Sequence, residues 1–390
     1  MLKAFVIGAV ILSILQPAGA APTQASDWGR LGPQLKLGPG TTPGIATDRF
    51  GSIHVVYMSK GGTWYRKGNA RMRFGPPEQI PSPAGSGNYN SPCVVADTNG
   101  VPHLVFQKDG AGESTKAWYT NRIGGRWKTP IAAIDNGEER INYPRLTVHG
   151  CFAFVTGFGA PANQLKHEGT LVRISNLASG PKVDMTTTTL LWVPHPLFDR
   201  SGRLFVVGRN RAAGHYLFGY DLNLRPTGLT RKISEKTEGK TGEETGAAID
   251  RNGVIHAAGI EGTTGADGKE PYHEQIWYNN TRRLDQGKGS ILGYDGTQPW
   301  ASIPVFPVLC ADAQGRIYMA WRHFETGQGR ITVLSGDSFA VPIAYAPAVT
   351  RYMRWNPQLA PAPKGGVYVA WDEGGTVCIR SIGVPASGKK

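Results

Sequence analysis

The feature that most constrains this chain is a phrase that returns about every fifty residues. Ile45 to Tyr57 carries Asp48, Gly51 and an apolar run, and Val94 to Phe106 repeats it with Asp97 and Gly100. The phrase recurs at Asp199 and Gly202, at Asp250 and Gly253, and at Asp312 and Gly315, with degenerate copies at His149-Gly150 and Gly365-Gly366. The turn glycines fall at 51, 100, 150, 202, 253, 315 and 365, so the steps are 49, 50, 52, 51, 62 and 50 residues. Self-similarity at this period is the mark of a repeat architecture. Within each unit Asp caps its own turn and Gly takes the positive-φ position, so a unit reads as strand, D-x-x-G turn, strand.

Further short strands follow in each unit, at Lys116 to Asn121, Trp127 to Ile131 and Gln275 to Asn279, the all-β pattern. Seven four-stranded antiparallel units predict an all-β fold, a seven-bladed β-propeller. A six- or eight-bladed ring and two tandem sandwiches are the alternatives. Gly262 to Lys269 is expected to absorb the longer step. The last unit ends one strand short, and Leu31 to Leu37 is expected to supply that outer strand and close the ring, since an open sheet edge invites aggregation. Gly and Pro make up 80 of the 390 residues, well above the roughly 12% of average usage, as a chain this rich in turns requires.

Residues 1–20 read as a signal peptide: Lys3, an apolar stretch from Ala4 to Leu15, then small residues ending at Ala20. That stretch is short of the roughly 20 residues a bilayer span needs, so residues 21–390 are expected to be one exported propeller domain, secreted or periplasmic, monomeric and without stable membrane insertion. The formal charge of +13 falls to +12 without Lys3. It favours a polyanionic partner, and in an exported protein that means an acidic polysaccharide or oligosaccharide rather than nucleic acid. Cys93, Cys151, Cys310 and Cys378 show no metal-ligand spacing, and no cofactor or calcium site is indicated. Cys93 with Cys151, or Cys310 with Cys378, could pair, but buried free thiols fit the same strand-like runs.

In a propeller blade, residues before the first strand and after the second share one face, and the D-x-x-G turns lie on the other. The first face collects Tyr89, Asn90, Tyr143, Arg145, His195, Arg209, Arg322, His323 and Trp355, with Glu243, Glu244, Asp372 and Glu373 nearby. Aromatic rings stack on sugars, amides bind hydroxyls and arginines bind carboxylates two-pronged. This face is expected to carry the more positive potential and the deeper pocket, and the turn face to be shallower and mixed in charge. His54, His103 and His256 share a position that Phe205, Tyr318 and Tyr368 fill in other units, so they are read as packing residues; Trp321 and Trp371 are read as core. The sialidase-type Asp box S-x-D-x-G-x-T-W is absent. Glycosidases use paired carboxyl groups, for which Glu243 or Glu244 with Asp372 or Glu373 is the weak candidate.

Through Asn88-Tyr89-Asn90-Ser91-Pro92 to Phe106, and again at Asn142-Tyr143-Pro144-Arg145-Leu146, the chain resembles the BNR-repeat propellers that include ulvan lyases, rhamnose-glucuronate lyases and related α-L-rhamnosidases. The resemblance covers two blades by motif and the others by period. It implies a polysaccharide lyase that cleaves a uronic-acid-containing polymer by β-elimination, or a rhamnosidase-like glycoside hydrolase on the same scaffold; a non-catalytic glycan-binding propeller is the third reading. Lyases of that group have a histidine where Tyr89 stands and a second one near the position of Lys108 or Asp109. Tyr143 matches their tyrosine directly. The catalytic candidates are therefore Tyr143 with His195 or His323, and Arg145, Arg209 or Arg322 is the group that would neutralise the uronate carboxylate. Tyr89, Asn90 and Trp355 are candidate substrate-binding residues.

Overall fold

The computed structural model describes residues 27–83, 88–109, 116–135, 140–160, 169–189, 191–210, 214–234, 245–263, 273–293, 307–323, 327–348 and 357–384. They form seven antiparallel sheets, each beginning with an inner strand: Thr41–Thr47, Asn88–Ala96, Arg140–His149, Trp192–Phe198, Gly246–Ile249, Val308–Ala311 and Gln358–Pro361. Each inner strand packs against the next and the seventh against the first, so the sheets are the blades of a closed seven-bladed propeller. Blade 6 splits its outer edge into two short pieces, Ser338–Phe339 and Ile343–Ala346, both on the strand Gly329–Ser335. The expected closure forms: Leu35–Pro39 pairs with Thr376–Ile382 as the outer strand of blade 7, extended by a bridge from Leu31 to Ile382. Residues 1–20 and most of the Gly262 to Lys269 insertion lie outside the described residues.

Why the second strands read as unbroken apolar runs follows from the packing. In Ile53–Ser59 successive side chains point to opposite faces, and both faces are covered. Ile53, Val55 and Tyr57 enter the cluster shared with blade 7, while Val56 and Met58 enter the one shared with blade 2. The core is thus seven interblade clusters, one per seam. Trp321 and Trp371 are buried, as expected. Trp127 is not in a strand; the outer strand of blade 2 starts at Ile131, because Trp127 is turned into the seam of blades 1 and 2, edge-on to Tyr65 at 5.2 Å.

The D-x-x-G turns form as their chemistry demands. Asp48, Asp97, Asp199, Asp250 and Asp312 each accept two backbone N–H groups on one carboxylate oxygen, and the glycines sit at positive φ. The second oxygen does a different job in different blades. In blades 1, 2 and 5 it faces a buried histidine, Nε2 of His54 at 3.2 Å, of His103 at 3.6 Å and of His256 at 3.6 Å. The other ring nitrogen of each histidine meets a buried tyrosine hydroxyl, Tyr65, Tyr119 or Tyr278, at 2.6–2.8 Å. In blades 4 and 6 Phe205 and Tyr318 cannot answer the carboxylate. There the Nε of Arg203 and of Arg316 donates to it at 2.7 and 2.8 Å, with the guanidinium over the ring. The three histidines are structural, as read from the sequence, but as polar relays rather than packing alone.

All four cysteines are free. Cys310 and Cys378 share the cluster between blades 6 and 7 without bonding. Burial pushes the thiols of Cys93, Cys310 and Cys378 up, whereas Cys151 is exposed on the two-residue turn of blade 3. A thiol reagent is therefore expected to modify Cys151 first in the native protein and all four only after unfolding; mass mapping of a short alkylation pulse checks this.

Candidate functional site

The inner strands of blades 1 to 4 share an irregularity that aims side chains at the rim. Each skips register just before its paired stretch, between Thr41 and Gly44, Asn90 and Cys93, Asn142 and Arg145, and Trp192 and His195. A proline lies inside every skip: Pro43, Pro92, Pro144 and Pro194. The residue before it is left-handed in three blades, with φ of 47° at Thr42, 48° at Ser91 and 47° at Tyr143. For non-glycine residues that conformation costs about 1–2 kcal/mol each, and bulges that re-aim side chains gather next to active sites.

The residue after the proline packs against the next blade. A Cβ on Gly44 would meet the Pro92 carbonyl oxygen at 2.7 Å, and Arg145 lies close enough to Cys93 to influence its thiol. On the same rung, one blade apart, stand Arg145 and His195. Burial together with the Arg145 charge holds the His195 imidazole well below its ordinary pKa, so it is neutral at physiological pH. Tyr143, half-buried, stacks on Phe158 with ring centroids 6.1 Å apart. Arg145 and His195 are thus neighbours, and Tyr143 stands in the bulge two residues before Arg145: a guanidinium, a neutral imidazole and a phenol.

Arg209 is the next-to-last residue of the second strand of blade 4, opposite His215. His215 was not legible as a site residue; burial, then the Arg209 charge, lowers its pKa to about 3. Its Nδ1 lies 2.8 Å from the Ser234 hydroxyl and its ring 4.5 Å from Trp277.

Arg322 lies elsewhere on the ring, at the seam of blades 6 and 7, and is buried. Its Nη2 donates to the Asp372 carbonyl at 2.7 Å. Burial raises the Asp372 carboxyl pKa even though Arg322 is nearby. Arg322 Nε and Nη1, Asp372 Oδ2, the Tyr345 hydroxyl and Trp371 Nε1 are buried with no hydrogen-bond partner among the described residues. Polar groups so placed are completed by ordered water or by a ligand's oxygens. Tyr345 was missed in the sequence because it arrives from the outer edge, its ring laid over Gly329, where any Cβ would collide with it.

His323, half-buried, follows Arg322, its backbone N–H bonded to the Gln328 carbonyl at 2.9 Å. Tyr89 and Asn90 stand on the inner strand of blade 2 opposite Lys108 and Gln107. Trp355, Glu243 and Glu244 lie outside the described residues. Glu373 accepts from Gln34 Nε2 at 2.9 Å. Among the described residues no group of three or more His, Cys, Asp or Glu is arranged to hold a metal ion.

No known family model matches the chain, and no curated protein sequence matches it. Solved structures do. A polysaccharide lyase, Uly1, superposes with a TM-score of 0.52 at 12% identity, over 93% of this chain and 94% of its own. An oligogalacturonate lyase from Vibrio parahaemolyticus gives 0.50 at 12% identity, over 90% and 92%. An α-L-arabinanase from Penicillium chrysogenum gives 0.47 at 13% identity, over 75% and 93%. At these identities the likeness is one of fold, and the neighbours include polysaccharide lyases and a glycoside hydrolase.

Proposed function

We propose that this chain is an exported polysaccharide lyase that cleaves a uronate-containing polymer by β-elimination at the rim of blades 3 and 4. The observation that carries the reading is the shared rung: Arg145 and His195 on adjacent inner strands, with Tyr143 in a strained bulge beside them. Arg145 would take the uronate carboxylate, spreading its charge so that the adjacent C5–H becomes acidic. His195 would accept the C5 proton. As the C4–O bond breaks and C4=C5 forms, Tyr143 would give its proton to the departing oxygen. The low pKa of His195 suits an acceptor that must be unprotonated when substrate arrives, and a bound carboxylate next to the imidazole would raise its basicity again.

Arg322 is a weaker choice for the neutralising role, being buried and committed to blade 7. Hydrolysis needs a pair of carboxyls facing the substrate; of the candidates, Glu243 and Glu244 lie outside the described residues and Glu373 is tied to Gln34. Arg145→Gln tests the assignment. Losing a charge-assisted pair is expected to lower kcat/KM on a free uronate polymer by about 10-fold or more. The loss should shrink when the substrate's carboxylates are methyl-esterified. An equal loss on both substrates would remove Arg145 from the role.

A further inference from the structure

On the D-x-x-G face the seams between blades are stopped in different ways. Phe50 lies over Gly100 at the seam of blades 1 and 2, and His149 stacks on Phe198, centroids 4.6 Å apart, at the seam of blades 3 and 4. Blade 6 reaches blade 7 through Gln314 to the Lys364 carbonyl at 3.4 Å and through Asp312 to the Gly366 N–H at 2.9 Å. At the seam of blades 5 and 6 Arg251 lies over Gly315, and beside it opens a cavity of about 410 Å³. The helical turn Thr281–Asp285 props it open from one side and the Gly336-Asp337 turn from the other.

The cavity is lined by Arg282, Arg283, Lys288 and Arg316 against Asp250 and Asp337. Asp337 is shared by Arg283 Nη1 at 3.0 Å and Lys288 Nζ at 2.5 Å, and Arg316 is matched by Asp312 behind it. Asp250 is engaged by the N–H groups of its own turn and faces His256. Arg282, exposed, is the lining cation without an ion pair among the described residues. Arg283 Nε is buried with no hydrogen-bond partner. The amides of Asn252, Gln286 and Gln314 complete the polar wall, and Ile317 and Leu334 supply an apolar patch.

One guanidinium without an ion pair among amides fits a monoanion that also carries hydroxyls. The volume is near the lower end of the roughly 300–1,000 Å³ range of small-molecule sites, right for a sugar or two and too small for a polymer groove. We propose that this cavity is a second, non-catalytic glycan subsite that holds a uronic-acid residue, its carboxylate on Arg282 and its hydroxyls on the Gln286 and Gln314 amides. The ligand class rests on the function proposed above; the site itself does not share a residue with the rim.

Calorimetric titration of the full chain with a galacturonate trisaccharide, at fixed ionic strength, tests it, with the neutral galactose trisaccharide as control. The wild type should bind the acidic trisaccharide at two sites. Arg282→Gln, at an exposed position that leaves the fold alone, should weaken one of them by ~10-fold or more and spare the other, while Arg145→Gln should do the reverse. Binding unchanged in Arg282→Gln but lost in Arg145→Gln would overturn the subsite alone. The opposite pattern would keep the subsite and overturn the rim reading, and a wild type that ignores the acidic trisaccharide would overturn both.

Discussion

Tyr143→Phe is expected to lower turnover on a uronate polymer by roughly 10² or more, with substrate binding and folding little changed. The substitution keeps the ring that stacks on Phe158 and the same left-handed backbone, so packing and strain are matched between the two proteins. What it removes is the transferable proton. A drop in kcat without a matching rise in KM, with the same thermal midpoint, would place the phenol in the proton transfer. Full activity in the variant would remove Tyr143 from the mechanism, and loss of folding together with activity would make its role structural.

The second large effect concerns acid. His195, His215, His54 and His256 are all held below the ordinary histidine pKa, by burial first in every case. In the unfolded chain each takes up a proton near pH 6.5, whereas in the folded protein it does so only at lower pH. Between those limits the unfolded state binds more protons, so stability rises with pH and is lost as pH falls. The window opens at about 6.5 and, for His215, extends down to about 3, with a slope approaching 1.4 kcal/mol per pH unit for each such group. Asp48, Asp97 and Asp199 are lowered in the fold and Asp250 sits at about 2, so their contributions are lost next, below roughly pH 4. Asp372, raised by burial, acts in the opposite sense and offsets a small part. Urea midpoints measured from pH 7.5 to 4.5 should fall steeply, and less steeply in His215→Phe. A flat profile would mean that these histidines are protonated in the native protein.

The architecture was legible because the D-x-x-G turn is local chemistry: an aspartate and a glycine three residues apart fix it, and counting glycines counts blades. Closure followed from a missing strand. The site was harder to read. Tyr143 and Arg145 stood out in a single Tyr-Pro-Arg segment, but that Arg145 and His195 occupy one rung depends on the shared bulge, whose signal was the recurring Pro43, Pro92, Pro144 and Pro194. The histidine relays were misread as packing alone because their tyrosine partners lie 11, 16 and 22 residues away, on the third strand of each blade. Trp127 falls where the spacing of short strands predicts one, but its ring plugs the seam and the strand starts at Ile131. The blade 5 and 6 cavity is assembled from four separate turns, and nothing in their spacing along the chain announces that they meet.

The account turns on elimination at the rim, and product chemistry tests it most directly. The wild-type protein should be incubated with glucuronate- and galacturonate-containing polymers and with neutral counterparts, and new ultraviolet-absorbing unsaturated ends and new reducing ends counted in the same samples. Elimination predicts that the two appear in equal numbers, on uronate polymers alone. Reducing ends without ultraviolet absorbance would make the protein a hydrolase, and binding to acidic glycans with neither product would make it a glycan-binding propeller; either result contradicts the mechanism assigned to Tyr143, Arg145 and His195.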